Sequence, residues 1–348
     1  MGKKLFTLLL LYSFIFVAFF ALFIIFNKGW AHPYFIKAQN AEIIKIGFFS
    51  RFTRSGQGNE TSEVQVNDSA VEDSLKPCPE TPPNLLGPIQ VEFETNRFMD
   101  DVRKKVGSFL QMGGRYKPPD CISKQKVAII IPFRHRHEHL THWLYYVHPN
   151  LIRQQLHYGI YVINQDGDGK FNRAKLMNIG YAEALKEDDY DCFVFSDVDL
   201  VPLDDRNLYR CFDLPRHFSV AIDKFNYKLA AINNFGGVTA LSKEQFLIVN
   251  GFPNTYWGWG GEDDDLYNRI MLRIKSISRP DAVIGRYKMI RHNRDLNNEQ
   301  NPSNAKKAKE TGKTWDQDGL NSLNYTVTQT IKDILFTFIA VDVHEPTE

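Results

Sequence analysis

The pattern of apolar and polar positions divides the chain into three stretches. From Leu5 to Phe26 only Thr7, Tyr12 and Ser13 interrupt an apolar run of 22 residues, and a helix of that length, at about 1.5 Å per residue, spans roughly 30 Å of hydrocarbon. This predicts a transmembrane signal-anchor helix over 5–26. A cleaved signal peptide would have a shorter apolar region ending at a small-residue cleavage site. Lys3 and Lys4 precede the run and a single Lys28 closely follows it, a bias that assigns 1–4 to a short cytosolic tail and the rest of the chain to the lumen. From 27 to 77 the periodicity dissolves into Gly, Ser, Asn, Glu and Gln, the composition of a flexible stem.

Order returns over 78–348. Val127-Ala128-Ile129-Ile130-Ile131 is a short unbroken apolar run suited to a strand buried on both faces. A helix-like stretch over 139–156 follows, then a strand over 158–163, a helix over 172–186 and a strand at Cys192-Phe193-Val194-Phe195. Strand and helix in alternation predict an α/β domain with right-handed crossovers and a Rossmann-like, mostly parallel sheet. Ligands in such sheets sit beyond the carboxyl ends of the strands. Pro132-Phe133-Arg134, Asn164-Gln165-Asp166 and Ser196-Asp197-Val198-Asp199 all fall there.

Composition adds two constraints. Lys plus Arg (42) nearly balance Asp plus Glu (41) with no long single-sign block, which excludes a nucleic-acid binder's electrostatic footprint. Cys78, Cys121, Cys192 and Cys211 are even in number and form no C-x-x-C pair, so an oxidising lumen would give two disulfides from three permitted pairings. Sequons at Asn59, Asn67 and Asn324 agree with that compartment as glycosylation sites.

The chemistry gathers at the predicted strand ends. Asp197 and Asp199 alternate along an extended backbone, so both carboxylates point the same way and can hold Mg²⁺ or Mn²⁺ against a diphosphate. Arg134 and Arg136 can fork onto phosphate oxygens, and Phe171 with Arg173 begins the next helix. Trp257-Gly258-Trp259-Gly260-Gly261 combines flat aromatic surface with mobile backbone, as a lid over sugar requires. Glu262, Asp263, Asp264 and Asp265 follow it. Four acids exceed what capping a helix over 265–274 demands, so one is free to act as general base. His292 suits a metal; Met289, a soft thioether, is not chosen on chemistry alone. His135-Arg136-His137-Glu138-His139 matches the H-x-x-E-H pattern of zinc peptidases, but it straddles a strand end, where its histidines cannot share a helical face.

In order, Pro132-Phe133-Arg134, Phe171-Asn172-Arg173-Ala174-Lys175, Phe195-Ser196-Asp197-Val198-Asp199, Phe235-Gly236-Gly237-Val238, Trp257 through Asp265 and Met289-Ile290-Arg291-His292 resemble the β-1,4-galactosyltransferase family. The resemblance runs from Cys78 to about Val341. It implies a GT-A fold, a single-pass type II protein of the Golgi membrane, Mn²⁺, a UDP-sugar donor and inversion at the anomeric carbon. It implies metal ligation by Asp199, Met289 and His292. Pro132, Phe133, Arg134, Arg136, Phe171, Arg173, Asp197, Val198 and Lys224 become the UDP-binding set. Asp263 resembles the catalytic base, Glu262 and Asp264 hold donor and acceptor hydroxyls, and Trp259 is the closing tryptophan. The implied disulfides are Cys78 with Cys121 and Cys192 with Cys211.

Two places depart from the family pattern. Ala231 and Asn234 stand where galactose-transferring members carry tyrosines, and Asn234 leaves room and an amide for a substituent at the donor sugar's C2. Asn304-Ala305 and Ala308 replace the Arg-Phe-x-x-Ile pocket for the acceptor N-acetyl group. Loss of that aromatic wall forfeits about 1–3 kcal/mol of apolar contact and counts against strong GlcNAc recognition and against an α-lactalbumin partnership. The expected activity is transfer of galactose from UDP-galactose to a terminal GlcNAc of glycoprotein or glycolipid glycans. The alternatives are N-acetylgalactosaminyl transfer from UDP-GalNAc, and a carbohydrate-binding protein with little turnover.

Overall fold

Alternation along the first strand after residue 78 generates two cores. The structure is a computed structural model describing residues 75–346. The expected tail, anchor and nearly all of the stem, with Asn59 and Asn67, lie outside the described residues. Among those described, no helix is long and apolar enough to cross a membrane.

Helix α1 (Met99–Val106) leads to β1 (Lys126–Phe133), α2 (His137–Arg153), β2 (His157–Gln165), α3 (Arg173–Glu187) and β3 (Cys192–Ser196). Val127, Ile129, Ile131 and Phe133 of β1 enter the core under α2, with Trp143, Leu144 and Val147. Ala128 and Ile130 enter the opposite core with Leu176, Met177 and Ile179 of α3. A strand buried on both faces therefore reads as a continuous apolar run.

The chain continues through β4 (Leu200–Pro202), β5 (Arg216–His217), β6 (Ala221–Ile222), β7 (Val238–Ser242), α4 (Lys243–Ile248), α5 (Glu262–Arg273), β8 (Arg286–Met289), α6 (Pro302–Lys309), α7 (Thr311–Thr314), β9 (Thr326–Lys332) and β10 (Thr337–Asp342). A seven-stranded sheet has the order β5-β7-β3-β1-β2-β10-β9. β1 runs parallel to β2 and β3, and β10 parallel to β2. β7, β5 and β9 pair antiparallel with their neighbours, so the sheet is mixed rather than mostly parallel. The antiparallel strands escaped the alternation of strand and helix because they need no crossover helix. A second sheet has the order β4-β8-β6.

Two boundaries differ from expectation by three residues. α2 ends at Arg153 rather than 156, because Gln155 adopts φ 49°, outside the helical region. α5 starts at Glu262, with all four acids in its first turn, where they complement the helix dipole. The disulfides are Cys78–Cys121 and Cys192–Cys211, the pairs that the resemblance implied.

The fourth acid is structural. Asp265 and Arg269 are 1% and 0% exposed, with Arg269 Nε donating to Asp265 Oδ1 at 2.5 Å. Tyr256 Oη and Thr311 Oγ1 donate to Asp265 Oδ2 at 2.8 and 2.9 Å. This buried pair ties α5 to the segment before the tryptophan loop and to α7. Removing one partner strands the other charge, so Asp265→Ala should cost about 3–5 kcal/mol. Urea midpoints at constant slope measure it, and the exposed-facing Asp264→Ala should cost far less.

Candidate active site

Beyond the carboxyl ends of β1, β2 and β3 lies a cleft of about 720 Å³. It is lined by Pro132, Arg134, Arg136, Phe171, Arg173, Asp197, Val198, Asp199, Lys224, Asn234, Trp259, Glu262, Asp263, Asp264, Met289 and His292. Phe133 is the exception among the expected donor-site residues. The strand's alternation turns its ring into the core, 1% exposed, edge-on to His137 and Phe338.

Arg173, at the start of α3, organises the acidic side. Its Nε donates to Asp197 Oδ1 at 2.7 Å and its Nη1 to Glu262 Oε1 at 3.5 Å. Burial alone would lower its pKa, but the charges of Asp197, Glu262 and Asp263 outweigh that and raise it. Burial and then the Asp263 carboxylate push Glu262 up to about 7. Glu262 is 8% exposed and its Oε2 has no hydrogen-bond partner within the protein. Asp264 is also raised, by burial and by Asp263.

Asp263 packs against bare backbone. A Cβ at Gly236 would lie 2.2 Å from Asp263 Oδ2, so glycine there is a steric requirement of the carboxylate's position.

The second sheet assembles the opposite wall. Pairing of β4 with β8 sets Leu200 against Met289, and Ile290 N donates to Asp199 O at 2.8 Å. That register brings Asp199 to the cleft wall that carries Met289 and His292, some 90 residues later in the chain, with His292 Nε2 3.0 Å from Asp199 Oδ2. Carboxylate, imidazole and thioether suit a first-row divalent ion better than Mg²⁺, which favours oxygen alone. Asp197 points instead to Arg173. Lys224 lies on a short 3₁₀ turn over Asp223–Phe225, whose Asp223 accepts from Met289 N at 3.0 Å.

The cations are pre-aimed. Arg134 Nη1 donates to Gly169 O at 2.6 Å, and its guanidinium lies 5.0 Å from the Phe171 ring centroid. Arg136 pairs with Asp295 at 2.5 Å, and its Nη2 lies 2.7 Å from His292 Nδ1. Asp295 sits in an aperiodic loop and went unnoticed; its only signal is a place three residues after His292. Trp259 is 49% exposed, under Arg294 at 4.7 Å, and Gly258, Gly260 and Gly261 around it all have positive φ.

The zinc-peptidase pattern dissolves. His135 has φ 54° outside α2 and its side chain is 76% exposed, whereas His139 is buried and lines the cleft. Among the described residues no three His, Cys, Asp or Glu side chains form a metal-binding group. At the acceptor end, Ala305 lines the cleft, Ala308 is 7% exposed, and Asn304 is 1% exposed with Nδ2 donating to Trp257 O at 3.3 Å.

Residues 78–212 match the family described as the N-terminal region of glycosyl transferase group 7, and residues 216–293 the N-terminal domain of galactosyltransferase. β-1,4-Galactosyltransferase 1 of Mus musculus is 59% identical over 273 residues, covering 78% of this chain and 68% of the relative. The Homo sapiens protein of that name is 58% identical, covering 79% and 69%. β-1,4-Galactosyltransferase 4 of Cricetulus griseus is 49% identical, covering 80% and 81%. Among solved structures, a mutant Drosophila β-1,4-galactosyltransferase 7 in complex with manganese, UDP-Gal and xylobiose superposes with a TM-score of 0.55. It is 28% identical, covering 64% of this chain and 95% of that one, and the fold is GT-A.

Two expectations follow from the site. Gly236→Ala should displace the Asp263 carboxylate and lower turnover by about 10²-fold while circular dichroism stays native. The second concerns Glu262. The folded protein holds its proton up to about pH 7, whereas the ordinary value is 4.5. Folding therefore takes up a proton between those values, and this group's contribution to stability is complete below pH 4.5 and lost as pH rises to 7. Glu262→Gln should match wild type near pH 4 and exceed it by about 1–3 kcal/mol at pH 8. Denaturation midpoints across that range check this, and a constant difference would contradict it.

Proposed function

The chain belongs to the β-1,4-galactosyltransferase family and is a UDP-sugar-dependent glycosyltransferase; from this premise we propose that it transfers galactose from UDP-galactose to a terminal GlcNAc of glycoprotein or glycolipid glycans, inverting the anomeric carbon. The observation that carries the proposal is the convergence of Arg134 and Arg136, the Asp199 and His292 pair and the Asp263 carboxylate on one cleft. The manganese, UDP-Gal and xylobiose bound by the Drosophila neighbour support a divalent ion, a nucleotide-sugar donor and a sugar acceptor here. Asp199, Met289 and His292 would hold Mn²⁺, which when bound supplies charge neutralisation for the diphosphate leaving group.

The protein's own groups do the rest. Arg134 and Arg136 fork onto phosphate oxygens, with Lys224 as a further positive charge and the Phe171 ring as a flat wall for the base. Pro132, Val198 and Asp197 border the same donor space. Asp263 accepts the proton of the acceptor hydroxyl as that oxygen attacks the anomeric carbon from the face opposite the diphosphate. Glu262 and Asp264 flank the base and hold donor and acceptor hydroxyls. Trp259, carried on glycines, closes over the sugar and excludes water. We further propose a type II Golgi membrane protein, anchored through 5–26 with the catalytic part lumenal; the two disulfides support an oxidising compartment.

Asn234 favours a second donor. It lines the cleft, and Arg279 Nη2 donates to its carbonyl at 3.0 Å, steadying the loop that presents its side chain. UDP-GalNAc is then accepted alongside UDP-galactose. Purified protein with Mn²⁺, each donor in parallel and a β-linked GlcNAc acceptor tests both readings. Transfer from UDP-galactose is expected, and Asn234→Tyr should lower the GalNAc-to-galactose ratio of kcat/KM by about tenfold or more. No transfer from either donor would favour a carbohydrate-binding protein instead.

A further inference from the structure

β9 is one of the two edges of the seven-stranded sheet; among the described residues no strand pairs with its outer side, and it is poorly defended. Its sequence Thr-Val-Thr-Gln-Thr-Ile-Lys is rich in β-branched residues, and every position but Ile331 is exposed. Lys332 supplies the strand's one charge, and it is already paired with Glu187 at 2.6 Å. A register irregularity opposite Ala340 and Val341 marks a bulge in the half that carries Thr328; the rest of the strand keeps regular pairing on one side and open backbone on the other. Exposed edges of this composition template pairing with other chains unless charge, proline, a bulge or a cover blocks them.

A cover is encoded two residues before the strand. Asn324 is exposed and begins Asn324-Tyr325-Thr326, an N-glycosylation acceptor. Tyr325 turns inward, its hydroxyl donating to Glu183 Oε1 and its ring packed against the second core. In an extended segment the residue on either side faces the other way, so Asn324 projects to solvent, two residues before the open edge begins. Thr326 at the far end of the sequon opens β9.

We propose that Asn324 carries an N-linked oligosaccharide that shields the β9 edge from strand pairing. The amide Nδ2 bonds to the anomeric carbon of an oligosaccharide carried on a lipid diphosphate. The bond from that carbon to the diphosphate oxygen breaks, the lipid diphosphate leaves with the electron pair, and the amide gives up one proton. The strand is about 24 Å long at 3.4 Å per residue, within the sweep of a branched glycan. The proposal rests on the lumenal placement above.

Full-length chain made in secretory animal cells tests it, in three forms: wild type, Asn59→Gln with Asn67→Gln, and those two with Asn324→Gln. Digestion with a peptide N-glycosidase should remove one glycan's mass from the second form and nothing from the third. If wild type shifts and the second form does not, Asn324 is unmodified while the lumenal placement stands; if none shifts, both fall. For the shielding, Asn324→Gln alone should leave kcat/KM unchanged yet aggregate several-fold faster on mild heating, and adding Val327→Lys to charge the edge should reverse this. Equal aggregation rates with and without the glycan would overturn the shielding role.

Discussion

Arg173 sits with its side chain 18% exposed between Asp197 and Glu262, and the acidic face of the cleft depends on that one cation. Asp197 directly follows a strand and Glu262 starts a helix 65 residues later, so without a shared partner two carboxylates and the adjacent Asp263 would repel one another in a setting that poorly solvates charge. With it they stay close enough to divide labour. Asp197 is engaged by the arginine, Glu262 is pushed up to about 7, and Asp263 is left beside Gly236, where the proposed mechanism needs a base. Arg173 can serve all three because β1, β2 and α3 form a unit whose α3 N-terminus opens at the sheet's carboxyl edge.

The wall proposed to hold the metal is built differently, by backbone register. β4 and β8 are short, yet their pairing fixes Met289 against Leu200 and joins Ile290 to Asp199, so three dissimilar donors meet without sharing an element. The two walls are joined through Asp197-Val198-Asp199, whose first carboxylate faces Arg173 and whose second faces His292. The two acids of one motif thereby divide between two walls, which neither acid alone could reveal.

What was legible in the sequence followed the physics of burial. β1, β2, α3 and β3 announced themselves because buried parallel strands are apolar throughout and their helices fill the crossovers. β9 and the antiparallel partners β5 and β7 carry no such signature, so the mixed sheet emerged only in three dimensions. Asp197, Asp199 and Asp263 stood out by position after a strand or before a helix. Met289 could not be read from its own chemistry, because its place beside Asp199 is set by strand pairing across some 90 residues. Phe133 shows the converse. It belongs to a motif at the strand end, but alternation sends its ring into the core, leaving Pro132 and Arg134 to face the cleft. Asp265 was grouped with three site acids by adjacency, whereas helical spacing turns it inward onto Arg269.

The central claim is that the two acids of Asp197-Val198-Asp199 serve different walls, the metal belonging to the second alone. Anomalous diffraction from crystals grown with Mn²⁺ and UDP measures this directly. A single manganese peak within about 2.0–2.6 Å of Asp199, Met289 and His292 donor atoms, with Asp197 still on Arg173, is the predicted result. A peak centred among Asp197, Glu262 and Asp263 would contradict it.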